Sequence, residues 1–65
     1  MDVEMLTIEE VSRLLRVSER TVRRLIEKGE LAAIEVSTRS YRIMRSDLNA
    51  YIERKRSGRH DEPRN

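Results

Sequence analysis

Apolar side chains recur at helical spacing between residues 8 and 15. A period of about 3.6 residues places them on one side of a helix, with polar residues on the other. Thr7 followed by Glu10 fits a capping box, in which each side chain bonds the backbone N–H of the other residue. The pattern therefore predicts a helix over about residues 7–15, after a short N-terminal arm over residues 1–5.

A second helix is predicted immediately downstream. Ser18 is suited to cap its N-terminus, and the helix is expected to run from Glu19 to Lys28. Gly29 follows at the position where helices commonly end in a left-handed residue. Two helices joined by a turn of about three residues have the layout of a helix-turn-helix.

The period of the pattern changes to two after Leu31. Apolar and polar residues alternate over residues 34–36 and again over residues 41–43, which predicts two short, half-buried strands. Residues 37–40 form the polar connection between them. Because this connection contains no glycine, we expect a longer type I turn rather than a two-residue primed turn.

A third helix is predicted after the strands. Ser46 is expected to cap it, and its apolar stripe fades by Arg56. Residues 57–65 are polar and are expected to form a flexible tail, which leaves one domain over residues 6–56. The predicted core consists of Leu6, Ile8, Val11, Leu14, Leu15, Val22, Leu25, Ile26, Leu31, Ile34, Val36, Ile43, Leu48, Tyr51 and Ile52.

The length of the chain limits its function. A domain of 65 residues buries only about 60% of the surface of its unfolded chain, which argues against a water-excluding active site and so against an enzyme. With no cysteine and one histidine, His60, we expect no metal site and no cofactor. Neither a bilayer-spanning apolar run nor a signal pattern is present. We therefore expect a soluble, cytoplasmic binding module, mainly α-helical with a small two-stranded β-hairpin, without a membrane or small-molecule partner.

Positive charge is concentrated in the middle of the chain. Residues 19–45 carry seven basic and four acidic side chains, whereas residues 1–18 carry two basic and four acidic ones. Six of the seven basic residues are arginine, whose planar guanidinium matches phosphates and guanine edges better than lysine does. This distribution favours an anionic partner.

The second helix places this charge on one face. On a helical wheel of about 100° per residue, with Val22 at the centre of the buried side, Arg20 and Arg24 fall opposite, at about 160° and 200°. A helix-turn-helix inserts its second helix into the DNA major groove N-terminus first, where the helix dipole also favours phosphate. The predicted DNA contacts on this helix are Ser18, Arg20, Thr21, Arg23 and Arg24.

The same helix also allows a purely structural interpretation. Arg23 stands four residues from both Glu19 and Glu27, the spacing at which ion pairs form on a helix surface. Such pairs contribute only about 0.3–0.5 kcal/mol each, so they would not prevent contact with DNA.

The hairpin adds a second basic surface beside the helix. A solvent-facing arginine on such a projection can lie along the DNA backbone or enter the narrow minor groove. A polar hairpin tip that serves only solubility is the alternative. The predicted contacts on the hairpin are Thr38, Arg39, Ser40 and Arg42.

Short pieces spread over about four fifths of the chain, from Leu6 to Arg56, match one known family pattern in order and in register. The matching pieces are Leu6-Thr7, Glu10-Val11, Leu14-Leu15, Val17-Ser18, Thr21-Val22, Arg24-Leu25-Ile26, Gly29, Leu31, Arg42-Ile43, Asp47-Leu48 and Tyr51-Ile52. Through this full set, the chain resembles the excisionase-type winged helix-turn-helix family, a relative of the MerR DNA-binding domain.

The resemblance implies a fold of α-turn-α-β-wing-β-α, with the second helix in the major groove and the wing, through Arg39, in the minor groove of double-stranded DNA. The stretch Ser18–Arg24 also resembles the corresponding helix of phage excisionases, which bind side by side, bend DNA and assist an integrase. The resemblance thus implies a recombination directionality factor of a phage or mobile element in the bacterial cytoplasm. The basic residues implied to contact an integrase or DNA are Arg54, Lys55, Arg56 and Arg59.

The sequence departs from the family pattern at two places. Arg16 stands at the turn between the helices, where many members have glycine. A left-handed conformation at Arg16 would cost roughly 1 kcal/mol. The wing also lacks the glycine that is usual in the family.

Three other functions compete with this interpretation. A small MerR-like transcription regulator would use the same DNA-binding surface. A protein-interaction module would direct the arginines to an acidic protein partner. An RNA binder is less favoured, because Tyr41 and Tyr51 are predicted to lie in the core and leave no aromatic platform for unpaired bases.

Overall fold

The structure, a computed structural model, describes residues 4–58 of the chain. Within these residues, three helices and a small antiparallel sheet form a winged helix-turn-helix, so the predicted fold class is confirmed. The sheet has three strands rather than the predicted two. In chain order, the elements are β1 (Met5–Thr7), α1 (Ile8–Leu15), α2 (Glu19–Glu27), β2 (Ile34–Ser37), β3 (Ser40–Met44) and α3 (Arg45–Gly58).

Both helices of the helix-turn-helix begin at the predicted caps. The Thr7 N–H donates to Glu10 Oε1 over 2.9 Å, and the Glu10 N–H donates to Thr7 Oγ1 over 3.0 Å, which completes the capping box of α1. At the start of α2, Ser18 Oγ accepts the N–H of Thr21 over 3.1 Å. These bonds satisfy backbone donors that a helix N-terminus otherwise leaves without partners.

The turn between α1 and α2 is made by a left-handed arginine. Arg16 has φ 62° and ψ 45°, and its N–H donates to Ser12 O. The Val17 N–H donates to the same carbonyl over 3.0 Å. A residue with a Cβ adopts this conformation at a cost of roughly 1 kcal/mol, so the expected strain at Arg16 is present.

The end of α2 is a Schellman motif around Gly29, which has φ 79°. The Gly29 N–H donates to Ile26 O over 3.0 Å, and the Glu30 N–H donates to Leu25 O over 2.9 Å. The predicted left-handed glycine is therefore confirmed. It redirects the chain from the helix towards the wing.

The strand β1 was not predicted, because three residues are too few to show an alternating pattern. It pairs with β3, with Met5 opposite Met44, and gives the sheet the order β1-β3-β2. The Arg45 N–H donates to Glu4 O over 2.9 Å, and Arg45 Nε bonds Glu4 Oε1 over 3.1 Å. Glu4 and Met5, expected in an N-terminal arm, thus belong to the folded domain.

The register of the wing differs from the prediction. Ile34 lies directly opposite Arg42 and therefore on the same face of the sheet, away from the core side that holds Ile43. Ile34 and Val36, predicted to be buried, are 40% and 49% exposed. The pairing shifts between Glu35 and Ser37, and a one-residue change in pairing moves side chains to the opposite face. Consequently β2 contributes no buried residue.

The tip of the wing is shorter than expected. Ser37 pairs with Ser40, so only Thr38 and Arg39 lie between the strands and the expected longer loop is wrong. Arg39 has φ 61°, whereas Thr38 has no positive φ. The turn is therefore not of type I′, which needs a positive φ at both central residues, nor of type II′, which needs one at the first.

One cluster of buried residues joins every element except β2. Leu14 was predicted to belong to it but is 51% exposed, because it lies about 120° around α1 from Ile8. Ser12 is buried there instead and donates to Glu9 O over 2.7 Å. The buried apolar residues are Leu6, Ile8, Val11, Val22, Leu31, Ile43 and Leu48; the partly buried ones packed on them are Leu15, Leu25, Ile26, Ala33, Tyr41, Tyr51 and Ile52.

The helix α3 follows β3 without a connecting loop. It begins at Arg45, so Ser46 lies within its first turn and is not the predicted cap. It reaches Gly58, two residues beyond the predicted end of the domain at Arg56. Among residues 4–58, no helix combines the length and apolar character that crossing a bilayer requires.

Candidate nucleic-acid interface

The three arginines of α2 are exposed, as the helical wheel predicts. Within residues 4–58, the side chains of Arg20, Arg23 and Arg24 make no hydrogen bond and no ion pair. The alternative pairs of Arg23 with Glu19 and with Glu27 are therefore not formed. These guanidinium groups keep all their donors available for an external acceptor.

One acidic residue lies on the same face of α2. Glu27 is exposed and falls at about 140° on the wheel, close to Arg20. Its carboxylate also has no bonded partner within the described part of the chain. With Arg20, Arg23 and Arg24, the face carries three positive charges and one negative charge, so its net charge is positive.

Ser18 and Thr21 contact each other at the start of this helix. Their hydroxyl oxygens lie 3.0 Å apart, while Ser18 Oγ also accepts the Thr21 N–H. Ser18 is exposed and Thr21 is half-buried. Both side chains therefore stabilise the first turn of α2, which carries Arg20, without any ligand.

The wing presents Arg39 at its tip. The Arg39 N–H donates to Glu35 Oε2 over 3.0 Å, which holds the tip against β2. The Arg39 side chain is exposed and has no bonded partner among the described residues. Like the arginines of α2, Arg39 can therefore donate to an external acceptor. Of the other two predicted tip contacts, Thr38 is exposed and Ser40 is half-buried.

The fourth predicted wing residue, Arg42, differs from Arg39. It lies in the central strand and is half-buried. Its guanidinium donates to the carbonyl of Tyr41 over 2.9 Å. The guanidinium of Arg42 therefore has a partner within the sheet, and among the described residues the hairpin offers one exposed, unbonded arginine side chain rather than two.

The basic residues near the end of α3 have partners within the domain. Arg54 donates to Glu30 O over 2.6 Å, and Lys55 Nζ lies 3.7 Å from Glu30 Oε1. Both cations also lie over the ring of Tyr51, at 5.7 and 5.6 Å from its centroid. These contacts fasten α3 to the loop that follows α2. Sequence reasoning missed them, because Glu30 and Arg54 are far apart along the chain.

Arg56 and Arg59 are the other two basic residues predicted to contact an integrase or DNA. Arg56 bonds Glu53 Oε2 over 3.1 Å. Arg59 lies outside the described residues.

Sequence reasoning also missed an apolar groove between the α1–α2 turn and α3. It has a volume of about 460 Å³ and includes Val17, which is 39% exposed. Its lining residues are Leu15, Val17, Thr21, Leu25, Tyr51, Ile52, Lys55 and Arg56. Thr21 thus borders this groove as well as the arginine face of α2.

The sequence profile of a family described as a helix-turn-helix domain matches residues 5–56, which is most of the chain. The chain belongs to this family. The matched range begins with β1 and ends within α3, so this helix-turn-helix domain includes the wing as well as the two helices that define the motif.

Two curated relatives of this helix-turn-helix protein come from Mycobacterium tuberculosis, one from strain CDC 1551 / Oshkosh and one from strain H37Rv. Each is 42% identical to the chain over 50 residues and is named "Putative DNA-binding protein". The aligned segment covers 77% of this chain and 63% of each relative. The chain thus spans less than two thirds of their length. No solved structure matches.

Proposed function

We propose that the protein binds double-stranded DNA, with α2 in the major groove and the wing beside it. The availability of three exposed arginine side chains on one face of α2 is the observation that carries this function. Arginine can bond the N7 and O6 atoms of guanine at once, and it can also bind phosphate. Membership of the helix-turn-helix family supports the same conclusion, as does the name of the two relatives.

Within this function, Arg20, Arg23 and Arg24 are the main contacts of α2. Ser18 and Thr21 order the first turn and can add hydroxyl contacts to the backbone of the DNA. Arg39 contacts the minor groove or its phosphates, and Thr38, Ser40 and Arg42 support it. Arginine is favoured in a narrow minor groove because the negative potential is strongest there.

The biological role that we propose is that of an excisionase, a recombination directionality factor that assists an integrase. A domain with so small a contact surface makes few base contacts, so useful specificity requires several copies side by side on a bent site. Arg54, Lys55, Arg56 and Arg59 are the proposed contacts with the integrase. The surface ion pairs that hold Lys55 and Arg56 are weak and would be exchanged at low cost.

Binding and its salt dependence test the DNA-binding function. With about five phosphate contacts, the logarithm of the binding constant should fall with the logarithm of salt concentration with a slope near −4 to −5. A gel-shift titration on random-sequence duplexes between 50 and 200 mM salt measures this slope. An acidic polypeptide of matched charge serves as the competitor. If the protein binds the polypeptide and not the duplex, the protein-interaction alternative is correct.

DNA bending separates the excisionase from a transcription regulator of the MerR type. Circularly permuted DNA fragments that carry a selected site should show position-dependent mobility and a ladder of complexes with increasing protein. A single complex on straight DNA would contradict the excisionase role. It would favour the regulator, which uses the same surface of α2.

A further inference from the structure

Arg16 combines an unfavourable backbone conformation with an available side chain. Its φ of 62° lies in the left-handed region that favours glycine. The side chain is exposed and makes no hydrogen bond or ion pair within residues 4–58. Only its backbone N–H is used, and a glycine would make the same bond to Ser12 O. Nothing within the described domain therefore requires an arginine at this position.

The position of Arg16 links it to the arginine face. It stands two residues before Ser18, the cap of α2, so their Cα atoms are at most about 7 Å apart. An arginine side chain spans a similar distance. When the N-terminus of α2 lies in a DNA groove, a side chain just before the helix lies beside the sugar-phosphate backbone at the edge of that groove. Contacts with this backbone position the protein and do not read the base sequence.

On the premise that α2 enters a DNA groove, as proposed above, we infer that Arg16 binds a backbone phosphate beside the start of α2. This contact with DNA explains why position 16 holds an arginine, although glycine would adopt the same backbone conformation without strain. Strain of this kind concentrates at functional sites, where stability and activity oppose each other. The neighbouring cation Arg13 lacks this combination, because it lies in a regular helix and pairs with Glu9.

The two properties of Arg16 are separated by three substitutions. Arg16→Gly removes both the strain and the charge. Arg16→Asn removes the charge and keeps a residue that tolerates the left-handed region. Arg16→Lys keeps the charge and the strain. Arg13→Gln is the matched control, because it removes a cation that already has a partner from the preceding helix.

Thermal unfolding and DNA binding are measured for each variant. Arg16→Gly should raise the melting temperature by about 4–8 °C while it lowers DNA affinity about tenfold. Its salt slope should be smaller by about 0.9, the value of one phosphate contact. Arg16→Asn should lose the same affinity and slope, whereas Arg16→Lys should bind within about threefold of the wild-type protein.

The outcomes distinguish this contact from the DNA-binding function itself. If Arg16→Gly is more stable and binds DNA with the wild-type affinity and slope, Arg16 does not contact phosphate, although DNA binding stands. If Arg13→Gln reduces the slope as much as Arg16→Gly, the effect is general charge and the inference is wrong. If the wild-type protein shows no salt-dependent binding to any duplex, the proposed function fails first.

Discussion

The second helix and the end of the third both carry exposed basic side chains, but only those of the third helix have partners within the domain. In α2, Arg20, Arg23 and Arg24 are exposed and have no bonded partner among the described residues. Near the end of α3, Arg54 and Lys55 are also exposed, but they bond Glu30 and cover the ring of Tyr51. A basic cluster in a sequence therefore does not define a binding surface by itself. The partners that the fold supplies decide which cations remain available.

The largest expected effect is on DNA affinity. The double variant Arg20→Ala, Arg24→Ala should bind a selected site about a hundredfold more weakly, because each bidentate contact with guanine contributes about 1–3 kcal/mol. The double variant Arg54→Ala, Lys55→Ala removes the same charge from α3 and should change affinity by no more than about threefold. Fluorescence anisotropy on labelled duplexes measures both. Equal losses in the two variants would remove the distinction between the helices.

The next effect concerns the start of α2. Ser18→Ala should lower the free energy of unfolding by about 1 kcal/mol, because the Thr21 N–H loses its acceptor. Ser18→Asp keeps an acceptor at the cap and should restore most of this stability. Urea unfolding followed by circular dichroism measures the difference. A loss in both variants would show that the hydroxyl contact with Thr21, rather than the cap, stabilises the turn.

An effect of similar size is expected where α3 meets the loop after α2. Tyr51→Leu keeps the apolar bulk and removes the aromatic ring beneath two cations. Each such contact at an exposed site contributes about 0.5–1 kcal/mol, so the free energy of unfolding should fall by about 1 kcal/mol. Tyr51→Phe, which keeps the ring, is the control. If Tyr51→Leu and Tyr51→Phe unfold at the same urea midpoint, the contacts of the two cations with the ring contribute nothing to stability.

The smallest effect belongs to the ion pair of Lys55 with Glu30. Glu30→Gln should lower the free energy of unfolding by only about 0.2–0.5 kcal/mol, since both side chains are partly exposed to solvent. The bond from Arg54 to the Glu30 carbonyl stays intact in this variant. Chemical unfolding at low and high salt should show that the difference disappears at high salt. A loss above about 2 kcal/mol would mean that the loop depends on this carboxylate.

Most local features were predictable from the sequence, although the predicted burial of Leu14 and the predicted cap at Ser46 were wrong. Features that join distant residues were not predictable. Thr7, Ser18 and Gly29 act through hydrogen bonds to residues within a few positions, so their roles in capping are visible in a short window. The exposed arginines of α2 follow from the same helical period. The proposed DNA contacts rest on that exposure and remain a prediction.

Two of the failures have a common cause in strand pairing and long-range contacts. The side on which Ile34 lies depends on its pairing with Arg42, which the alternating pattern alone does not determine. The contact of Arg54 with Glu30 joins residues on two different elements. A short stretch of sequence does not show such a contact, so the cations of α3 were predicted to be as available for binding as those of α2.

The contacts of Glu4 set a boundary for anyone who shortens or fuses this chain. A version that started at Leu6 would lose the pairing of Met5 with Met44 and both bonds between Glu4 and Arg45. Arg45 is the first residue of α3 and directly follows β3, so removing the N-terminal residues would also weaken the junction between the central strand and this helix. Deletions that preserve this part of the molecule should therefore stop before Glu4.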